Sequence, residues 1–244
     1  MEPVSVAARP TFAAARDFCA DCLLIFVEPT AIFRRRAATP VLVPLAALVI
    51  GCIAAYYVAR PLLEPAYLAD FRRAMATRSL GVTISSEQLD AGFRANMKFG
   101  GLYSIVTVPV TVFCIAFSVW IACAIVGVRQ TYERALAIAT WSYFPHIAQA
   151  LAMSAIAILR ADDQILGIRS LSAGITFFVD PANVPSVVYP FLLRCDLFTL
   201  WITALICIGV AATSPTPVSR RSSAGVGALV YLLGFLPSLT SVLS

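Results

Sequence analysis

The sequence has little charge and a single histidine. Charged residues make up 13% of the 244 positions, whereas an ordinary soluble domain has roughly 25%. Hydrophobic residues reach 60%, and they occur in blocks of about 20, the length that crosses a ~30 Å hydrocarbon core. A water-soluble fold is therefore not expected, and the lipid bilayer is the expected surrounding and first partner of the chain.

The sequence also lacks the patterns of common catalytic sites. It contains no HExxH, no GxSxG, no phosphate-binding loop and no paired intramembrane aspartates. Cys19 and Cys22 form an isolated CxxC, and a zinc site would need two further ligands nearby. We therefore expect a protein that is not an enzyme and has no cofactor, no metal and no nucleic-acid partner.

Five apolar blocks predict an all-α fold, an integral membrane bundle of five transmembrane helices. The start of the chain has no basic region followed by an apolar core, so the first block is expected to be retained as a membrane span. Residues 1–39 form the predicted cytoplasmic N-terminal segment, and 40–244 form the membrane domain. Its spans are predicted at about 40–59, 102–128, 135–159, 191–212 and 224–243.

The density of positive charge sets the predicted orientation, because short cytoplasmic segments are rich in arginine and lysine. The C-terminal end carries no such residue. We expect a location in the inner (plasma) membrane, with the N-terminus in the cytoplasm and the C-terminus outside. The arginines that carry this prediction stand just before the first span and in two short connections: Arg34, Arg35, Arg36, Arg129, Arg134, Arg220 and Arg221.

Amphipathic helices are predicted outside the spans. Residues 11–27 are expected to lie along the inner membrane surface. In the outer loop, 60–101, Pro65 is expected to begin one helix, and the capping-box spacing of Ser85 and Gln88 predicts the start of another. These two helices are expected to form a hairpin.

The stretch "WSYFPHIAQ", residues 141–149, places polar side chains inside the third span. Pro145 removes a backbone hydrogen bond and predicts a kink, with Ser142 and Tyr143 near enough to satisfy the freed carbonyls. His146 follows Pro145 directly, and Gln149 lies about one turn later. Two interpretations stay open: hydrogen-bonded residues that pack helices together, or a polar site that binds a ligand or relays protons.

Arg194 and Asp196 stand at the outer end of the fourth span, where a charge is costly unless it is paired or reaches the headgroups. Their separation of two residues predicts different helix faces, so they are not expected to pair. Asp196 is expected to gain from the positive end of a helix that begins just before it. The preceding residues, 161–190, are expected to form an interfacial or partly re-entrant cap.

Three segments resemble the Yip (Ypt-interacting protein) domain family, in particular its bacterial branch. They are "FVEPTAIFRRR" (26–36), "ERALAIATWSYFPHIAQAL" (133–151) and "CDLFTLWITALICIGVAATSPTPVSRRSSA" (195–224). The resemblance covers about residue 24 to the C-terminus. The positions that match the family pattern are Glu28, Pro29, Phe33, Pro145, Asp196, Leu197, Phe198, Trp201 and Gly209.

The resemblance implies a five-helix membrane protein with a cytoplasmic N-terminus that organises membranes or binds other membrane proteins, or copies of itself. Members with a long cytoplasmic extension bind small GTPases, but only about 39 residues precede the first span here, so GTPase binding is not expected. Membrane organisation or partner binding is the first expectation. The alternative is a small transporter or channel whose polar path runs by Tyr143, His146, Gln149 and Asp196.

Overall fold

The computed structural model describes residues 12–78, 85–160, 165, 167–179, 184–185 and 188–235, and these residues are helical with no strand. Short 3₁₀ turns occur at Gly100–Tyr103, Ile168–Leu171 and Ile175–Phe177. The α-helices in this part of the chain are α1 Phe12–Leu24, α2 Pro29–Arg36, α3 Leu42–Arg78, α4 Ser86–Phe99, α5 Ser104–Val126, α6 Tyr132–Ser142, α7 Pro145–Leu159, α8 Tyr189–Arg194, α9 Leu197–Thr213 and α10 Arg220–Leu233.

Three helical stretches are long and apolar enough to cross a membrane, judged by length and composition: Leu42–Met75, Ser86–Val126 and Tyr132–Leu159. This finding supports a helical membrane protein, but the predicted count of five spans is not confirmed. The fourth predicted span divides at Cys195 and Asp196, which leaves the 17-residue α9, about 26 Å long at 1.5 Å per residue. The fifth predicted span ends at residue 243, and 236–244 lie outside the described residues.

Helix α3 differs from the prediction of a span ending at residue 59 and a separate helix starting at Pro65. It is one helix of 37 residues that continues through Pro61 and Pro65. Both prolines lie on its exposed side, so each interrupts backbone bonding without disturbing the packed face. At 1.5 Å per residue α3 is about 55 Å long, well beyond a ~30 Å hydrocarbon core. Its C-terminal part therefore extends past the apolar layer.

The predicted capping box at the start of α4 is confirmed. Ser85 Oγ accepts a hydrogen bond from the Gln88 backbone N–H, and Gln88 Oε1 accepts one from the Ser85 N–H, both at 3.2 Å. The buried face of α4 packs on α3, where the Phe71 and Phe93 rings lie 5.7 Å apart. The predicted hairpin is thus formed between the C-terminal part of α3 and α4.

An ion-pair group joins the N-terminal helix α1 to α2, which packs on α9. Asp21 of α1 is completely buried and pairs with Arg35 and with Arg36, whose Nη2 lies 2.5 Å from Asp21 Oδ2. The predicted helix within 11–27 is present as α1, and the Phe18 ring packs 5.9 Å from that of Trp141. We call the Asp21, Arg35 and Arg36 group the N-terminal latch.

The main hydrophobic core lies among α2, the N-terminal part of α3, α5, α6, α9 and α10. Its largest fully buried side chains include Trp141, Phe33 and Ile138. A smaller core joins α3 to the C-terminal half of α7 and to the segment after it, through residues such as Leu63, Ala157 and Leu171. Because the two cores are separate, space remains between α3, α5 and α7.

Candidate functional site

The third predicted span is interrupted, and the interruption lies where Pro145 predicted a kink. Helix α6 ends at Ser142 and α7 begins at Pro145. Across the gap, the Phe144 N–H donates to the Trp141 carbonyl at 3.5 Å and the His146 N–H to the Tyr143 carbonyl at 3.0 Å. These bonds reach three residues back instead of four, since proline has no N–H to donate.

The role predicted for the Ser142 side chain is wrong. Its Oγ is buried and has no hydrogen-bond partner among the described residues. A backbone group satisfies the freed carbonyl instead: the Phe144 N–H donates to the Trp141 oxygen, four residues before Pro145, at 3.5 Å. A tightened turn keeps this N–H group close to that oxygen, so no side chain is needed.

A chain of polar contacts begins at the interruption. The rings of Tyr143 and His146 stack with centroids 4.8 Å apart. His146 Nδ1 lies 2.9 Å from Gln149 Oε1, and Gln149 Nε2 donates to Asp196 Oδ1 at 3.3 Å. Four of the five predicted site residues are therefore connected. Ser172 joins this group because its hydroxyl donates to Asp196. We call Tyr143, His146, Gln149, Asp196 and Ser172 the polar chain.

The polar chain determines the tautomer of His146. The Gln149 amide nitrogen donates to Asp196, so the amide oxygen faces the imidazole. Nδ1 must then carry the imidazole proton. Nε2 remains as the acceptor nitrogen of a neutral His146, which suits it to receive a hydrogen bond or a proton.

Asp196 is 2% exposed and receives three hydrogen bonds. The Phe198 backbone N–H donates to Oδ1 at 2.9 Å, which makes Asp196 the N-cap of α9, and Gln149 donates to the same oxygen. Ser172 Oγ donates to Oδ2 at 2.5 Å. Three donors and a helix N-terminus compensate a buried carboxylate.

The segment that supplies Ser172 is held against the polar chain from both sides. Arg160 Nη1 donates to the Ser170 carbonyl at 3.0 Å, and Asp70 Oδ2 accepts from the Ile168 N–H at 3.0 Å. A short antiparallel bridge joins Gly174 to Asp196. The described part of the predicted cap, 161–190, thus packs on the start of α9.

Arg194, the fifth predicted site residue, faces a different way. Its Nη2 donates to the Tyr231 carbonyl at 3.4 Å, and its guanidinium lies 5.5 Å from the Phe235 ring centroid. Its Nε is buried and lacks a hydrogen-bond partner within the described ranges. No ion pair joins Arg194 to Asp196, as predicted, but the reason differs: Arg194 ends α8 and Asp196 caps α9, so they do not lie on two faces of one helix.

Two cavities meet at the polar chain. The first cavity, about 260 Å³, lies between α3, α5 and α7 and is lined in part by Cys52, Tyr56, Tyr67 and Met153. The second cavity, about 490 Å³, lies between α5, α8, α9 and α10. The residues that line both cavities are Thr111, Tyr143, His146 and Gln149.

Phe33, Phe198, Trp201 and Gly209 of the family pattern pack inside the bundle, whereas Glu28 and Leu197 are exposed. The rings of Phe26 and Trp201 meet edge to face at 5.3 Å. At Gly209 an added Cβ would come within 2.9 Å of Ile138 and 3.2 Å of Phe33. The remaining family-pattern residues are Glu28 before α2, Pro29 at its first position, Leu197 at the start of α9 and the buried Phe198.

Sequence reasoning missed Ser172 and the cavities. Serine is common in loops, and no pattern in 161–190 distinguishes Ser172 from its neighbours. The hydroxyl of Thr111 carried a weak signal, as a polar side chain on an apolar helix. Only the packing of α5 against α3, α6 and α10 reveals which side of α5 faces empty space.

Within the described ranges, no three side chains of the His, Cys, Asp or Glu type come together as a metal site would require. Burial raises the pKa of the Cys22 thiol to about 11, and the nearby Cys19 and Asp21 act in the same direction. Cys22 is therefore protonated at neutral pH, which is unfavourable for a thiolate nucleophile.

Comparison with models of known protein families finds no match, and neither a curated protein nor a solved structure matches the chain. The resemblance to the Yip domain family thus receives no support beyond the residues that carry it. The fold and the polar chain define a class only, a helical protein with candidate membrane spans and an internal polar site.

Proposed function

We propose that this protein is a membrane carrier of a small polar solute, which it binds at the polar chain. The observation that carries the proposal is that Tyr143, His146 and Gln149 line both cavities, directly after the interruption between α6 and α7. Polar side chains inside an apolar layer are costly unless they are paired or line a hydrated space. Interrupted helices recur at the solute sites of transporters.

The packing supports a carrier over an open channel. Both cavities lie along the first two thirds of α5, up to Ser118. Beyond it, Val119, Ala122 and Cys123 are buried in the main core. Solute would have to cross that dense half through a rearrangement, for which the Tyr143–Phe144 interruption is the natural hinge.

The proposal is tested by uptake into proteoliposomes that contain the purified protein. A panel of protons, sodium, amino acids, phosphate and short carboxylates is offered, and we expect saturable uptake of at least one. His146→Ala should reduce that uptake at least tenfold, whereas Thr140→Val should not change it. Thr140 is a matched control, since it is a buried hydroxyl of the same span whose bond goes to its own helix, outside both cavities.

Uptake that His146→Ala leaves unchanged would contradict the proposal, as would a complete lack of uptake across the panel. Size-exclusion profiles of both variants in detergent must match that of the wild type, so that a folding defect is not mistaken for lost transport. An intact profile with lost uptake assigns the effect to the site.

The second candidate is the membrane-organising or partner-binding function. It is favoured by one surface of α7, where the partly exposed Ala148 and Ala152 leave space for another helix to approach. The other small pair, Ala135 and Ala139, is completely buried within the chain and is not available to a partner. Ala152→Phe should then disperse an oligomer in mild detergent, and a wild-type monomer would contradict this candidate.

For the orientation, we propose that the N-terminus lies in the cytoplasm, the C-terminus outside, and that five segments cross the inner membrane. The basic connections support this proposal because they meet at one end of the bundle. Arg134 Nη1 donates to the Thr213 carbonyl at 3.2 Å, and Gln130 Nε2 donates to Thr213 Oγ1 at 2.7 Å. We call the end formed by Arg129, Arg134, Thr213 and Arg220 the basic end.

A further inference from the structure

In the part of the chain that the structure describes, the positive charge of Arg194 in the second cavity has no counter-charge. Arg194 is the one arginine, lysine or acidic side chain among its lining residues. No carboxylate of the described residues lies within 4 Å of its guanidinium. Asp196, two residues along the chain, is committed to Gln149, Ser172 and the Phe198 N–H. A partly buried guanidinium without a counter-charge is unfavourable.

The guanidinium is held in a fixed position without using up its donors. A guanidinium has five N–H donors, and Arg194 gives one bond, the 3.4 Å contact to the Tyr231 carbonyl at the end of α10. The rings of Tyr231 and Phe235 lie 5.8 and 5.5 Å from it. Gly234 provides the room, since a Cβ there would overlap the guanidinium. Its buried Nε stays without a partner in the part of the chain that the structure describes.

The rest of the cavity wall is neutral. Its lining includes the polar side chains of His146, Gln149 and Thr199 and the apolar side chains of Ile202, Ile206 and Val230. A volume of about 490 Å³ falls in the range of small-molecule sites. The space therefore admits an anion that carries an apolar portion, and not only a bare ion.

We propose that the second cavity binds a small amphiphilic oxyanion, whose carboxylate or phosphate group pairs with Arg194 while its apolar portion contacts α9 and α10. This inference rests on the proposed function and specifies its solute class. A planar guanidinium matches both oxyanions through two parallel hydrogen bonds. The oxyanion comes either from a free solute or from the headgroup of a lipid.

The test measures ligand binding to the purified protein in neutral detergent, by thermal shift and native mass spectrometry. The probes are butyrate, inorganic phosphate and dihexanoyl phosphatidylglycerol, with butylamine and butanol as cationic and neutral controls. We expect binding of at least one anionic probe and none of the controls. Butyrate or phosphate binding assigns the site to a free solute, and binding of phosphatidylglycerol alone assigns it to a lipid headgroup.

The variants assign the binding to Arg194. Arg194→Gln should weaken binding of the anionic probe at least thirtyfold. Arg194→Lys should weaken it about tenfold, because lysine keeps the positive charge but lacks the two parallel N–H donors of the guanidinium. Arg72→Gln should have no effect, since Arg72 is an exposed arginine of α3 outside both cavities. Thr199→Leu leaves the guanidinium in place but fills the cavity, so it should also abolish binding. Thr199→Leu therefore tests the site if Arg194→Gln does not fold.

Three results would overturn the inference: no anionic probe binds, butylamine binds as well as butyrate, or the anion binds Arg194→Gln and Thr199→Leu as it binds the wild type. Failure of the proposed function is distinguishable. Anion binding without any uptake would contradict the carrier function and would still support the oxyanion site. Uptake of a cation that does not depend on Arg194 would still support the carrier function and would contradict the oxyanion site.

Discussion

At the scale of single residues, Asp196 connects the sequence most directly to the site. It ends one helical segment, caps the next and receives the side chains of Gln149 and Ser172. Its helix-capping role was predictable, because an aspartate before an apolar run is a typical start signal. Its partners were not, since they come from positions 47 and 24 residues away.

Replacement of Asp196 by alanine should reduce the free energy of unfolding by about 2–4 kcal/mol, the combined cost of a lost N-cap and of buried donors without an acceptor. Asp196→Asn should reduce the free energy of unfolding by less, because the amide oxygen of asparagine can still cap α9. Equilibrium unfolding in detergent micelles measures both variants. An alanine variant as stable as the asparagine variant would contradict this account of the carboxylate.

Two glycines give a matched pair for the packing of α9. A Cβ at Gly209 would come within 2.9 Å of Ile138, whereas a Cβ at Gly225 would lie 3.8 Å from Val126, an ordinary contact. Gly209→Ala should therefore lower the thermal midpoint, and Gly225→Ala should raise it or leave it unchanged, since alanine favours a helix by about 1 kcal/mol. Equal effects would show that α9 does not pack closely there.

At the scale of helices, the N-terminal latch decides whether α1 belongs to the bundle or to the membrane surface. Removal of one member of a buried ion pair is costly, about 3–5 kcal/mol in a fully buried pair. The arginines of this pair are partly exposed, so the cost here is expected to be smaller. Docking of α1 also accounts for the partial burial of Cys22.

Asp21→Asn should release α1 and increase the alkylation rate of Cys22. In the wild type the pKa of Cys22 is raised to about 11, mainly by burial, so little thiolate exists at pH 8. Release lowers that pKa toward its ordinary value and increases the thiolate fraction. Mass spectrometry after timed iodoacetamide treatment at pH 8 measures the rate, and the exposed Cys19 is the internal reference. An unchanged ratio of the two rates would mean that the latch does not hold α1.

The helix boundaries show what sequence patterns can and cannot provide. The cap at Ser85 and the break at Pro145, predicted as a kink, depend on local chemistry and were predicted. For Asp196 only the favourable position at a helix N-terminus was predicted, not its role as the N-cap of a helix that begins at Leu197. The continuity of α3 through Pro61 was not, because it depends on which face is left exposed. The cavities depend on packing between helices far apart in sequence, which no local pattern contains.

At the scale of the whole molecule, the two ends of the bundle differ. A densely packed layer around Ile138 and Val119 separates the two cavities and Arg194 from a third cavity of about 340 Å³ at the basic end. A packed layer between the site and one end of the bundle is expected of a carrier whose site opens to one side. The position of the basic end predicts which side of the membrane each terminus faces.

Alkaline phosphatase is active only outside the bacterial inner membrane, and green fluorescent protein is fluorescent only in the cytoplasm. Fused after residue 244, alkaline phosphatase should be active and green fluorescent protein should be dark. Fused before residue 1, the two reporters should give the opposite result. Both termini on the same side would contradict an odd number of spans and hence the five-span proposal.

The central claim is that water reaches a polar site inside the bundle. In a cysteine-free background, Thr111→Cys places a thiol where both cavities meet, and Phe113→Cys places one on the exposed, lipid-facing side of α5 at nearly the same depth. A small, membrane-impermeant methanethiosulfonate reagent applied to the protein in vesicles should modify the cysteine at position 111 and leave that at position 113 unmodified. Equal protection of both positions would contradict the claim.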